Sequence, residues 1–451
     1  MSVPRARPRN IRPGCRTCRV RRVKCDLGRP ICGNCIRVHR ECSFRLFDPE
    51  PQSAPLSRNP SPTNALIPIQ EAPSPSLPDP TFLDSAFHVR VLEDIPDLLR
   101  PQFKHLLRHF ALETCGTITH DSKAQSAWNT TVPQLASKHR FVKQGIFAIS
   151  AMHLSRTVSS QRERKHFQDI ATIHMNSGLI QYRKAIEKVT EKNSAALFTF
   201  SVMITSLAVL NTTEECSNLL QSIRKGRQST TERDTAIEEM VRATSNMMFC
   251  FRGVLVILVP CWHTLVKGPL APILERDWWP RPIPSSPQAI EEDNKLKNIE
   301  RIWQHPGRQY EYWYDTLTVT LQRLRDSFAL ISLLTMDGLL IDWSAPFNWA
   351  VQTSPSFIDL LVQKKPEAWV IIAHYAILPS KIPAIWWVDD FAPSLVSAAA
   401  LVIGEEMWDW IEWPASVVGV DLDSLRPRDD NEAQDVTSMT SSSGFTSSSE
   451  M

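Results

Sequence analysis

Apolar residues recur at intervals of three and four through residues 96–115, 139–156 and 315–336. That is the period of a helix with one buried face, not the alternation of a strand. The longest apolar run, 195–210, is about sixteen residues and is interrupted by Thr199, Ser201, Thr205 and Ser206. It predicts a buried helix, since a membrane span needs about 20 apolar residues. The run 253–262 is shorter and contains Pro260, so no membrane-spanning segment and no membrane partner is expected. Pro101 suits the first turn of a helix, whereas the Pro-rich stretch 280–288 predicts a break between helices. Alternating strands with Gly-rich turns do not appear, and the chain has only 14 glycines in 451 residues. The fold class read from this pattern is all-α, with a large helical domain over 91–420 that is long enough for a substantial core.

The pattern stops at both ends of that region. Residues 46–90 are dominated by proline and serine, which favour extended, solvated backbone and predict a disordered linker. Residues 421–451 turn acidic and then serine-rich, with almost nothing to bury, and predict a disordered tail that recruits a protein partner, accepts phosphates or is inert. The segment 404–414, which mixes acids with tryptophans, reads as the last amphipathic helix of the bundle in preference to an activation segment. Charge is as uneven as hydrophobicity. Residues 1–45 carry 13 Lys or Arg against Asp26 and Glu41, a net of +11, while the whole chain is +2 and the other 406 residues sum to −9. Such asymmetry confines binding of a polyanion to the N-terminal end, and nucleic acid is its natural partner.

Within that basic segment Cys15, Cys18, Cys25, Cys32, Cys35 and Cys42 fall in the spacing C-x2-C-x6-C-x6-C-x2-C-x6-C, one C-x2-C-x6-C unit repeated 17 residues on. Six cysteines could staple a small secreted module, but the N-terminal residues lack the apolar stretch of a secretory signal, so a reducing compartment is expected. Reduced cysteines at C-x2-C spacing bind metal, and zinc takes four thiolates at about 2.3 Å. Six thiolates serve two zinc ions if two sulfurs bridge, or one zinc with two thiols to spare. The first half-repeat reads as a short helix over 16–24 carrying Arg16, Arg19, Arg21, Arg22 and Lys24. The second, 33–40, has only Arg37, His39 and Arg40, so the first helix is the one expected to enter the major groove.

The stretch 15–42, with its C-R-x-R-x-x-K-C run from Cys18 to Cys25 and Pro30 two residues before the fourth cysteine, resembles the fungal zinc binuclear cluster transcription factors. The resemblance implies a cluster domain over 15–45 holding two Zn2+ per chain. Cys15 and Cys32 would bridge, Cys18 and Cys25 would complete one site, and Cys35 and Cys42 the other. It further implies a reader of CGG-like triplets in double-stranded DNA, with Arg21, Arg22 and Lys24 as candidates for guanine or phosphate. Most members of the family have lysine where this chain has Arg22, and the two cations are not interchangeable. Residues 1–14, with Arg5, Arg7, Arg9 and Arg12 among prolines, form a basic arm for phosphates or nuclear import. Many members follow the cluster with a heptad coiled coil; none is visible here, which leaves a monomer or a homodimer formed without one.

Pieces scattered over roughly 103–413 resemble the regulatory domain of the sterol uptake control protein group, among them LLRHFALETCGTIT, NSAALFTFSV and PEAWVIIAHYAIL followed by Trp386 and Trp387. That resemblance implies a helical bundle which in some members binds a sterol. A nuclear transcription factor acting at RNA polymerase II promoters of a metabolic or secondary-metabolite pathway is therefore the leading reading, and one responsive to a sterol or other apolar small molecule is the alternative. An enzyme is rejected: a thiolate-saturated zinc leaves no position for water, and no Ser-His-Asp set, HExxH or phosphate-binding glycine loop occurs. Other features are given ordinary roles. His105, His109 and Glu113 share a helix face, but amphipathic helices commonly carry such sets. The tryptophans 278, 279, 343, 349, 369, 386, 387, 408, 410 and 413 are expected to be core in preference to a pocket wall, and Cys115, Cys216, Cys250 and Cys261 to be small buried residues.

Overall fold

Among the described residues, four α-helices begin with proline in their first turn, at Pro101, Pro287, Pro355 and Pro366. Proline lacks only a donor that would be unpaired there anyway, and its fixed φ suits the helix. The computed structural model describes residue 18 and residues 22–26, 33–38, 90–225, 230–274 and 283–426. It divides into two units, Met1–Pro75 and Ser76–Met451. In the first unit the described helix is α1 (Gly33–Arg37).

The second unit is helical throughout its described residues, apart from one two-stranded hairpin. It opens with α2 (Arg100–Leu112), α3 (Ser122–Ala136), α4 (Arg140–Thr157) and α5 (Gln161–Ile186). Asp121 caps α3 by accepting from the Ala124 N–H at 2.8 Å, and Ser160 starts α5 in the same way through Glu163 N–H. Helix α4 is buried on every side from Phe141 to Gly145 to Ser155, save Gln144, and packs along α5 and against α2. Two long helices follow, α6 (Glu191–Lys225) and α7 (Thr230–Lys267), lying against each other. Short helices complete the unit: α8 (Ala271–Leu274), α9 (Pro287–Asn298), α10 (Tyr314–Leu334), α11 (Asn348–Gln352), α12 (Pro355–Val362), α13 (Pro366–Tyr375), α14 (Phe391–Ile403) and α15 (Glu412–Val418). Helices α13 and α14 are almost wholly buried and form the second centre of the core.

Where α4, α5 and α6 meet, glycine is required. A Cβ on Gly145 would lie 2.6 Å from Met203 Sδ, and one on Gly178 would lie 2.7 Å from Phe200 Cζ. Phe200, fully buried, is thus seated between a glycine of α4 and a glycine of α5, with Tyr182 and Phe141 at ring distances of 5.1 and 5.6 Å.

Three expectations need correction. The helix expected over 315–336 ends at Leu334, and Thr335–Met336 pairs antiparallel with Leu339–Leu340 across Asp337 and Gly338, both at positive φ. That Asp-Gly pair is a type I′ hairpin signal that helical periodicity concealed. The run 253–262, which reads as short because of Pro260, belongs to a longer helix, since α7 continues through that proline. Both long helices also exceed the apolar runs on which the membrane reading rested: by length and composition α6 and α7 could each cross a bilayer. In α6, 72% of the most apolar window is buried inside the protein, whereas in α7 it is 28%, with Phe249, Val256 and Val259 exposed.

Candidate functional site

In the N-terminal unit the usual order of burial is inverted. Cys18 and Cys35 are 0% exposed and Cys25 8%, while Val23 and Val38 are 40% and 38% exposed. A hydrophobic core would hide the valines first; here the interior is sulfur. Cys18 and Cys35, equivalent positions of the two half-repeats, bring their Sγ atoms to 4.0 Å. That is about twice an S–S bond, so the two sulfurs are neighbours without being bonded, and a pair of buried thiols drawn together from the two half-repeats fits a shared thiolate cluster of the kind that holds zinc. Cys15, Cys32 and Cys42 lie outside the described residues.

The first half-repeat is closed by a turn. Cys18 is helical, and its carbonyl accepts from the Val23 N–H at 3.0 Å while Arg22 stands at φ 56°. This is the six-to-one bond of a Schellman cap with arginine where glycine is usual, a backbone that costs a side-chain-bearing residue about 1 kcal/mol. The helix expected over 16–24 therefore ends before Arg22, and residues 23–26 are irregular. Arg22 and Lys24 are exposed on the turn that follows the helix, not on its face; Arg16, Arg19 and Arg21 lie outside the described residues. In the second half-repeat the described helix covers Gly33–Arg37, Val38 is a turn residue, and residues 39 and 40 lie outside the described residues.

A residue that the sequence reading passed over joins the halves. The Asn34 side chain donates to the Lys24 carbonyl at 2.5 Å and accepts from the Arg37 guanidinium, and its backbone N–H donates to Asp26 Oδ1 at 3.5 Å. Asn34 thus fixes the backbone of the basic turn against α1. Its sequence signal is weak, a lone amide between Gly33 and Cys35.

The second unit contains a cavity of about 230 Å³ between α3, α6, α7 and the segment leading into α11. Its wall is aromatic. Phe251 stacks on Phe347 at 5.5 Å and 17°, and Phe347 continues to Trp387 at 5.4 Å. Trp387 is held by its indole N–H on the Thr117 carbonyl at 3.0 Å, while Trp386 donates to Thr117 Oγ1 at 2.9 Å. Of the tryptophans expected to be core, Trp343 and Trp387 line this cavity, together with Trp128 and Trp262, which were not singled out. Trp349, Trp369 and Trp408 are buried with indole N–H groups on the carbonyls of Thr320, Leu361 and Ala400. Trp386, Trp410 and Trp413 pack half-buried against the core, and 278 and 279 lie outside the described residues.

His109 does not join His105 and Glu113 in a site. Its Nε2 lies 3.1 Å from His153 Nδ1, which also meets Thr114 Oγ1 at 3.1 Å while the His153 ring stacks on Trp386. Burial brings both histidines down to about 4, His109 further opposed by the neighbouring His153 and His105. Among the described residues no three His, Cys, Asp or Glu side chains are placed to hold a metal. Burial raises the Cys115 and Cys250 thiols and pushes Cys216 up to about 12, which keeps them protonated and unreactive.

Two domain families match the chain: the fungal Zn(2)-Cys(6) binuclear cluster domain over residues 13–51 and the fungal specific transcription factor domain over residues 105–301. A Zn(2)-C6 fungal-type transcription factor of Gibberella zeae is 21% identical over 94% of this chain and 89% of its own length. The Zn(2)-C6 fungal-type transcription factor afumD of Aspergillus fumigatus is 29% identical over 45% of this chain and 47% of its own, so that match spans about half of the relative. Sterol uptake control protein 2 of Candida albicans is 54% identical over 38 residues, 8% of this chain and 5% of that one. The matched domains and the relatives' names are those of transcription factors, not of enzymes. The chain resembles the fungal Zn(2)-Cys(6) binuclear cluster transcription factors in both its N-terminal module and its helical unit.

Proposed function

We propose that the protein is a sequence-specific regulator of RNA polymerase II promoters, acting in the nucleus, whose residues 15–45 hold two zinc ions and read CGG-type triplets. In this reading Cys15 and Cys32 bridge, Cys18 and Cys25 complete one ion, and Cys35 and Cys42 the other. Zinc would supply cross-linking in place of a hydrophobic core, so metal binding and folding of the module are one event. What carries the reading is the pairing of Cys18 and Cys35 as a sulfur interior beside exposed Arg22, Lys24 and Arg37. Arg16, Arg19 and Arg21 approach the major groove from the first helix. Arg22 and Lys24 reach DNA from the turn, a position from which a cation holds a phosphate or the edge of a guanine. Residues 1–14 add phosphate contacts, 46–90 tether the module, 91–420 regulate it, and 421–451 meet the transcription machinery. Pairing of two copies, if it occurs, runs through the helical domain.

Zinc content of residues 1–60 and selection from random duplex DNA at stated salt test this together. Two zincs per chain with enrichment of CGG-type sites is the expected result, and the enriched sites then point to the metabolic or secondary-metabolite genes regulated. One zinc, or no sequence preference, overturns it. Arg22→Ala sharpens the assignment: a loss confined to CGG sites marks a base contact, an equal loss on all sequences a phosphate contact.

A second reading is favoured by one observation. The aromatic cavity in the helical domain suits an apolar small molecule whose binding adjusts the activity of the DNA reader.

A further inference from the structure

The cavity described above has a chemistry that narrows its occupant, and this inference rests on the ligand-responsive reading just given. None of its described lining residues is charged. A charged ligand would therefore be desolvated without a counter-charge. At about 230 Å³ it falls below the roughly 300–1,000 Å³ of pockets that take drug-sized ligands, a class to which a tetracyclic sterol with its side chain belongs. Phe251, Phe347 and Trp387 form an aromatic wall, the first pair stacked at 17° and the second tilted at 33°, against which another aromatic ring gains favourable ring contact. The hydroxyls on the opposite wall are committed as donors, Thr205 to the Ser201 carbonyl at 2.9 Å and Ser206 to the Val202 carbonyl at 3.2 Å. Asn348 differs from them: it lines the cavity, and its carboxamide has no hydrogen-bond partner among the described residues.

We propose that this cavity is a binding site for an uncharged, flat aromatic molecule of about two fused rings bearing one hydroxyl or carbonyl group, stacked on Phe347 and Trp387 and hydrogen-bonded by Asn348, and that a sterol is not its ligand. The aromatic wall supplies affinity and the carboxamide supplies orientation. Because the lining comes from α3, α6, α7 and the segment entering α11, an occupant contacts four separate parts of the helical unit at once.

The test uses the full-length, zinc-loaded protein with 2-naphthol as probe, followed by calorimetry and by quenching of tryptophan fluorescence. Naphthalene, 2-naphthoate and cholesterol delivered from cyclodextrin serve as comparisons. Saturable binding of one 2-naphthol per chain is expected. Naphthalene should be roughly fivefold weaker, the worth of one hydrogen bond, and 2-naphthoate about a hundredfold weaker. Asn348→Ala should erase the preference for 2-naphthol over naphthalene. Leu258→Trp and, independently, Val351→Trp should fill the cavity and abolish binding while the helical circular dichroism is kept. Absence of saturable binding, unchanged binding in both filled variants, or displacement of 2-naphthol by cholesterol would overturn the proposal. DNA affinity measured in the same samples separates the two claims. Binding of 2-naphthol with no change in DNA affinity supports the site and removes its regulatory role. Loss of the site with CGG selection intact overturns this inference alone and leaves the DNA reader standing.

Discussion

The two units reach stability by opposite routes. Among the described residues of the N-terminal unit the buried side chains are cysteines, Val23 and Val38 face solvent, and Asn34 links the halves. In the helical unit the interior is made of large rings and aliphatic chains, with Trp349, Trp369, Phe200 and Phe357 at no more than 1% exposure. A small module cannot bury enough apolar surface to offset its chain entropy and needs a cross-link, whereas several hundred residues can. The two units should therefore fail under different insults.

Metal removal should separate them most sharply. Treating the full-length protein with a zinc chelator is expected to lower specific DNA affinity by roughly a hundredfold or more, because the module unfolds without metal. The thermal transition of the helical unit should move by no more than about 2 °C, roughly the shift from half a kcal/mol in a domain of this size. A parallel collapse of both signals would mean that the units are one folding entity.

The converse insult is a core truncation. Trp369→Ala, which empties a fully buried site, should cost about 3–5 kcal/mol in denaturant unfolding of the helical unit while leaving zinc content unchanged. Gly145→Ala should act in the same direction by overpacking, about 1–3 kcal/mol, because its new methyl meets Met203 and Phe200.

Acid should also discriminate. His374 is wholly buried and brought down by desolvation to about 4, against an ordinary value near 6.5. Below pH 6.5 the unfolded chain takes up a proton that the folded state refuses, so stability falls from there until about pH 4 and then levels. At pH 5 His374 alone should remove roughly 2 kcal/mol from the helical unit. His109, His153 and His174 are displaced the same way and add to the loss. Urea titrations at pH 7 and pH 5 measure it, and a midpoint independent of pH would show these histidines to be solvated.

The smallest effect falls on the cap of the first half-repeat. Arg22→Gly relieves a left-handed backbone and should tighten metal-coupled folding by about 1 kcal/mol relative to Arg22→Ala, which keeps the strain while losing the same side chain. Equal zinc affinities in the two variants would refute the strained cap.

The helix at 100–112 was legible because its burial follows a single period and its start carries a proline, whereas that at 140–157 was legible by its apolar spacing although it is buried on nearly every side and not on one face. The buried helix around 195–210 was legible as buried but not as a 35-residue element, since its polar C-terminal half obeys the helix without advertising it. The hairpin at 335–340 was hidden because two-residue strands have no period to read. At the site, the cysteine spacing announced the sulfur interior. Asn34 and the strained Arg22 were not visible, because a hydrogen-bond hub and a positive φ are properties of backbone path rather than residue type. The cavity was obscured for a related reason: Trp343 and Trp387 look like Trp349 and Trp369 in sequence, and only packing tells a wall from a core.

The hydroxyls of α6 have a consequence of another kind. Thr199, Ser201, Thr205, Ser206 and Thr213 each donate to the carbonyl four residues earlier, so this apolar helix satisfies its own polar groups. Exchange of such a residue for alanine or valine strands nothing, because the carbonyl keeps its place in the ladder. Ser201, which also meets the Tyr182 hydroxyl at 2.8 Å, and Thr205, which also reaches the Cys250 carbonyl at 3.4 Å, are tied to neighbours through their own oxygens. The helix is in that sense a tolerant register, where a lineage can drift in composition at Thr199, Ser206 and Thr213 without a compensating change elsewhere.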